Sequence, residues 1–321
     1  MAIDWHSGLS IYAAEAYLKT VGDEYGWLGG FDDAGNLRCI LPYTIIRKAI
    51  FRMVRFRVEM MPVAGDFTTE EEKSFLTSVI NHFRSAGADM IIPSTANTIF
   101  RAYPDGAEAA PYGTYRIDLS QPEATLWANV HQKHRNVIRS AMKAGVQIRT
   151  GKEHLDAAYM MVQATLKRSK LGFQTRDSFM RLVSNLGENV KVFVAEHQGV
   201  VQGCAVIPFS GYSAYYVYGG SAPETATGAM NLLHWEAIQQ LRALGVQHYD
   251  FVGVRINPEA GSKQEGLKRF KERFGGQLVQ GYTWKYSFKP MKYRLYGLAT
   301  RLRHGGDIVD QEKHKLQANA Q

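Results

Sequence analysis

The stretch GLKRFKERFGG, residues 266–276, sets four cations (Lys268, Arg269, Lys271 and Arg273) beside Phe270 and Phe274 and ahead of Gly275 and Gly276. Such a run is either the solvated face of a helix or a set of charges held against an oxyanion or a phosphate. Phe270 and Phe274 stand four apart, as core residues on one helix face do, and the glycines read as a helix C-cap. Asp250, in YDFVG, closes an expected strand. A carboxylate there could act as general base toward an amine, or could only close a turn. Tyr215, Tyr216 and Tyr218, in YYVYGGS, end another strand, with Tyr216 and Tyr218 expected on one face and Tyr215 on the other. Their hydroxyls suit a substrate carboxylate or amide; cross-strand packing is the competing role. Arg135, Arg139 and Lys143 recur every four residues and form a basic stripe, solvated or laid along a phosphate backbone. Arg55 and Arg57 alternate with apolar residues, as on a half-exposed strand. Arg101 and Tyr103 lie in a long Pro- and Gly-containing loop, a frequent place for function. His131 and His134 are three apart with no third ligand in view, so no metal site is expected. No Ser–His or Cys–His arrangement suggests an acyl-enzyme.

The elements that must position these residues follow a repeat. Residues 27–46 and 192–211 each read as strand, Gly-containing turn (Gly35, Gly199), then a strand carrying a cysteine and a proline (Cys39 and Pro42; Cys204 and Pro208). Each is followed by an amphipathic helix, with Phe75, Val79, Ile80 and Phe83 on one face in the first copy and Leu233, Ala237, Ile238 and Leu241 in the second. Gly87 and Gly245 then sit where a helix C-cap belongs, ahead of the strands ADMIIP and VQHYDFVG. Between the copies, Ser120 and Glu123 form a capping-box pattern for a helix running to about Ala144. This order predicts an α/β chain with a mixed, mainly antiparallel sheet flanked by helices in each copy. The boundary falls near residue 118: a first domain over 1–118 and a second over 119–289. The tail 290–321 begins as a basic amphipathic helix with Leu295, Leu298 and Leu302 on one side. Packing of that side against the first domain is favoured over contact with anionic lipid, and the chain beyond Gly305 reads as polar and disordered.

The chain has 321 residues, 45% of them hydrophobic and 21% charged, with a net charge of +8. The excess favours anionic partners: nucleic acid, anionic lipid or a phosphorylated substrate. Two cysteines far apart build no disulfide framework and fit a reducing cytoplasm. No apolar run approaches the ~18 residues of a membrane span, and the first residues lack a signal-peptide pattern.

Five segments in order, IDLSQPEATLWANVHQKHRNVIRSAMKAGVQIR, YYVYGGS, NLLHWEAI, YDFVG and RFKERFGG, resemble the FemAB family. The resemblance covers the second half well and the first half through the repeat. It implies two tandem domains of the GNAT fold and transfer of an amino acid from aminoacyl-tRNA to an amine, typically on a peptidoglycan precursor. No long helical arm is inserted, so the chain resembles the shorter, FemX-like members, which act on nucleotide-linked precursors. Carried onto this sequence, the resemblance places Phe270 and Lys271 at the donor terminus, with Lys271 stabilising the oxyanion of the tetrahedral intermediate. It implies that Arg168 binds a diphosphate and that Arg55 and Arg57 meet a phosphate of the acceptor; by its spacing the stripe Arg135, Arg139 and Lys143 could follow a tRNA acceptor stem, and Tyr103, by its loop, is a candidate for substrate binding. No cofactor is implied. The place of an acetyl-CoA pyrophosphate loop is taken by YGGSAPETATGAMNLLHW, whose glycines lack the usual spacing, which disfavours CoA. An acyl-CoA-dependent N-acyltransferase acting on a surface-polysaccharide sugar is the second reading. A non-catalytic RNA-binding or membrane-surface adaptor is the third.

Overall fold

The computed structural model describes residues 3–318. Strands Glu24–Phe31 and Leu37–Lys48 pair as an antiparallel hairpin, and so do Val190–His197 and Val200–Pro208. Gly35 and Gly199 hold φ of 82° and 76° in the two turns, a conformation that favours glycine. The helices Thr69–Ser85 and Ala229–Ala243 follow, and each ends in the same way. Gly87 N donates to Arg84 O and Ala88 N to Phe83 O; Gly245 N donates to Arg242 O and Val246 N to Leu241 O. That paired bond is a Schellman cap, and it turns each chain into its next strand, Met90–Ile91 or His248–Asp250. Val79, Ile80 and Phe83 are buried in the first helix and Leu233, Ala237, Ile238 and Leu241 in the second, as their spacing requires. The repeat is therefore real at the level of hydrogen bonds.

The sheets do not divide where the sequence copies do. A nine-stranded sheet runs, in spatial order, Glu24–Phe31, Leu37–Lys48, Phe51–Phe56, Met90–Ile91, Gln277–Ser287, Glu108–Asp118, His248–Asp250 and Ala214–Tyr215, with Met61–Pro62 paired to Leu37–Lys48. Strand Gln277–Ser287 pairs with Met90–Ile91 and along its length with Glu108–Asp118, so late sequence is woven between early strands. A second sheet holds Tyr218–Ser221, Val200–Pro208, Val190–His197 and Gln147–Thr150.

Three expectations are corrected. The helix expected from Ser120 to Ala144 is two helices, Glu123–Asn129 and Gln132–Lys143. Ser120 bonds Asp118 instead of capping, Val130 is extended, and His131 caps the second helix by accepting from Lys133 N at 3.1 Å. The chain beyond Gly305 is ordered as helix Ile308–Ala318. Buried Lys285 draws it in, with Nζ 2.9 Å from Asp307 Oδ2 and 2.5 Å from Asp310 Oδ1. Helix Pro290–His304 packs back on the early strands, but through Tyr293 and Tyr296 against Met53, Met90 and Ile92. Its leucines face outward.

Candidate active site

The site lies where two parallel strands part. Ala214–Tyr215 runs beside His248–Asp250 for two residue pairs, Ala214 with Tyr249 and Tyr215 with Asp250. Tyr216 N still donates to Asp250 O at 2.9 Å; then Val217 N bonds back to Tyr215 O, a γ-turn that redirects the chain. Residues Tyr218–Ser221 join the small sheet, whereas Phe251 N and Val254 N bond Tyr115 O and Gly113 O of the large one. A wedge opens between the two sheets. The turn on its large-sheet side is unusual: Val252 has φ of 40° and Gly253 of 51°. A β-branched residue there is a genuine conformational outlier, held only by its surroundings.

Two groups hold it. Asp250 is fully buried and spends both oxygens on the fold: Oδ1 accepts from Val252 N at 2.7 Å and Thr114 Oγ1 at 2.5 Å, and Oδ2 from Arg116 Nε and Nη2 at 3.2 and 3.1 Å. With no oxygen free, Asp250 is an anchor and not the general base its position suggested. Lys271 is the second group. Helix Lys263–Glu272 is capped by Ser262, which accepts from Glu265 N; its Phe270 packs against the core, and Phe274, in the turn that follows, is buried in it. That docking turns Lys271 inward, where Nζ donates to Val252 O and, at 2.7 Å, to Gly253 O. Its side chain is 9% exposed, and burial pushes the ammonium down to about 8, with nearby Asp250 opposing the shift. Among the four cations of the run it alone is buried: Lys268 reaches Ile256 O, and exposed Arg269 pairs with Glu265. An ammonium has three N–H donors, and two are used here. The third can meet an oxyanion in the wedge.

The wall beside Lys271 is aromatic. Tyr216 stacks edge-on to His234 at 4.4 Å between ring centroids, and Phe270 lies between His234 and His134, at 5.5 and 5.3 Å. His234 is fully buried; its Nδ1 meets Tyr249 OH at 2.8 Å and its Nε2 has no partner. Burial, with Lys271 adding to it, pushes His234 down to about 3, so the imidazole is neutral. His234 stands in NLLHWEAI on an otherwise apolar helix face, and that break in the pattern is the one signal in the sequence that marks it.

The other expected site residues distribute unevenly. Tyr215 is buried, with its hydroxyl 2.9 Å from Ser10 Oγ, and it belongs to the core rather than to a substrate pocket. Tyr216 and Tyr218 do not share a face, because Tyr216 is itself the centre of the γ-turn: Tyr218 packs on Phe173 and Phe179 in a different cluster. Arg168 is exposed at the small-sheet edge and donates to Thr165 Oγ1 and Ser221 O. Arg55 and Arg57 have no carboxylate within ion-pair distance among the described residues. Arg57 is buried and consumed by Thr44 Oγ1 and Val21 O, the latter at a helix C-terminus. Arg55 makes one such bond, to Pro93 O at 3.1 Å, and burial next to Arg57 pushes its guanidinium down to about 10. Tyr103 is 38% exposed, with its ring 4.8 Å from that of Tyr282. In the basic stripe, Arg135 is drawn to Trp127 O and Ala128 O at the end of the preceding helix, while Arg139 lies 5.4 Å from the Trp127 ring; Arg139 and Lys143 are exposed. Gly228, which begins helix Ala229–Ala243, is required by packing: a Cβ would lie 2.2 Å from Val137 O.

Residues 128–272 match the family described as Acetyltransferase (GNAT) domain. A lipid II:glycine glycyltransferase of Staphylococcus saprophyticus is 31% identical over 96 residues, 30% of this chain and 23% of that protein. The protein of the same name from Staphylococcus haemolyticus is 24% identical over 135 residues, 42% of this chain and 32% of its own length. The crystal structure of FemX superposes with a TM-score of 0.68 at 14% identity, covering 92% of this chain and 98% of that one. The chain carries a GNAT-type segment and shares the fold of FemX. Its tandem GNAT-like α/β fold is thereby shown, as the repeat predicted. The chain spans a quarter to a third of the length of the curated relatives it matches.

Proposed function

We propose that this protein is an aminoacyltransferase that moves an amino acid from aminoacyl-tRNA to an amine of a peptidoglycan-type precursor, with no acyl-enzyme. The observation that carries the reading is the buried ammonium of Lys271, fixed by two carbonyls at the mouth of the strand wedge. The amine attacks the ester carbonyl, and the carbonyl oxygen becomes an oxyanion beside Lys271. Collapse breaks the ester bond, and the ribose oxygen leaves with the proton that the amine gives up. A prepositioned cation in a water-poor wedge stabilises that charge without reorganising, an effect worth several kcal/mol. Phe270, Tyr216 and His234 shape the wall around the reacting carbonyl. Arg55, with spare N–H groups and no carboxylate, suits a phosphate of the acceptor, and Arg168 on the small-sheet rim suits a second. The exposed Arg139 and Lys143 suit tRNA phosphates. The relatives' names, lipid II:glycine glycyltransferase, support glycine as the group moved and a lipid-linked phosphate-bearing acceptor. Among the described residues no helix is long and apolar enough to cross a membrane, so a lipid-borne acceptor would be met by peripheral contact at the inner face.

The test is transfer of label from charged total tRNA into envelope precursors, with and without ribonuclease. Ribonuclease-sensitive transfer is expected. Label that moves only from acyl-CoA would overturn the reading in favour of the acyl-CoA enzyme.

A further inference from the structure

Helix Pro290–His304 carries an apolar ridge that the fold leaves bare. Met291, Leu295, Leu298 and Leu302 are 86, 50, 57 and 80% exposed. Their spacing of four, three and four residues puts them on one line along the helix. The opposite side is the one that packs: Tyr293 donates to Glu108 Oε1 at 2.7 Å, and Tyr296 meets Phe51 at 5.9 Å. The hairpin tip extends the ridge. Lys292 Nζ donates to Ile50 O at 2.6 Å, and Ile50 is itself 58% exposed. Cations border it: exposed Arg294 and Arg301 on one flank and exposed Lys48 at the tip, while Lys292 on the other flank is paired with buried Asp89 at 2.9 Å. The helix sequence, PMKYRLYGLATRLRH, contains no Asp or Glu.

We propose that this face lies on an anionic lipid bilayer, with the ridge in the headgroup–acyl boundary and the arginines on phosphates. The charge pattern selects this occupant. A second copy of the chain would add a second set of the same arginines to the shared seam, with no acid on either helix to pair them. The surface deepens the function proposed above and rests on it, because a lipid-linked acceptor is met at a membrane. It also assigns a role to the ridge that core packing does not.

The full chain is sedimented with vesicles of equimolar phosphatidylglycerol and phosphatidylcholine, and with vesicles of phosphatidylcholine alone. Wild type is expected to partition onto the anionic vesicles, less so as salt rises, and weakly onto the neutral ones. The double variant Leu298→Glu, Leu302→Glu keeps the helix and its buried face, so its melting temperature should match wild type while its partition falls about ten-fold or more. Equal partition of the two proteins, or no partition of wild type onto anionic vesicles, overturns the proposal. A wild-type dimer in sedimentation velocity that the variant abolishes also overturns it and assigns the ridge to a second copy. Transfer to a water-soluble nucleotide-linked acceptor, without vesicles, separates the two readings. The variant should match wild type there and with a lipid-linked acceptor dispersed in detergent; if neither protein transfers to either acceptor, the proposed function fails while the vesicle result still decides the surface.

Discussion

In the proposed reaction Lys271 carries most of the chemistry, because its charge is held where charge is unfavourable. An ammonium pushed from its ordinary range down to about 8 is a group whose protonated form the fold opposes. The unfolded chain binds that proton up to about 10.5, so between pH 8 and 10.5 the unfolded state holds more protons than the folded one. Stability from this group therefore rises as pH climbs through that window. Urea unfolding at pH 7.5 and 9.5 should show wild type gaining on the order of 1–2 kcal/mol relative to Lys271→Met, which lacks the titration. An equal pH response in both proteins would mean that Lys271 is solvated. The residue type and its place in RFKERFGG were legible in the sequence. Its burial was not, since the same run of cations describes a surface helix equally well. Asp250 shows the reverse: its place at a strand end was legible, but Arg116, the partner that occupies it, stands 134 residues away.

At the scale of elements, local rules held where bonds are local. The hairpin glycines, the two Schellman caps and the helical apolar stripes all follow from residues within one turn of each other. The γ-turn at Tyr215–Val217 has no such signature, because it arises where one strand is pulled between two sheets. The break at Val130 is likewise fixed from outside, by His131 N donating to Arg273 O at 2.8 Å. Two glycines near the wedge should respond oppositely to alanine. At Gly220, in the strand that leaves the wedge, a Cβ would lie 2.6 Å from Met161 O, and backbone cannot yield as a side chain does. Gly220→Ala should cost about 1–3 kcal/mol. Gly266, inside the helix that carries Lys271, has nothing within 4 Å of a Cβ. Gly266→Ala should add about 0.5–1 kcal/mol by stiffening the unfolded chain and the helix. Chemical denaturation of both variants checks the signs.

For the molecule as a whole, the sequence repeat announces two units, and the strand Gln277–Ser287 ties them together. Lying between Met90–Ile91 and Glu108–Asp118, it makes one sheet out of early and late segments, and its Lys285 holds the last helix down. Nothing periodic in a sequence reports such a crossing, because register between distant strands depends on shape and not on neighbours. The consequence is functional: the helix that carries Lys271 leads through Gly275 into this central strand, so the site is fixed to the body of the protein rather than to a mobile loop. In the proposed reaction Lys271, besides holding the Val252–Gly253 turn, stabilises charge in the transition state and adds nothing to tRNA affinity. The most direct test is the single-turnover rate of aminoacyl transfer, at saturating charged tRNA and acceptor, for wild type and Lys271→Met. The rate should fall by about 10²–10³-fold with tRNA affinity unchanged. A rate within a factor of about two of wild type, or a loss confined to tRNA affinity, would contradict it.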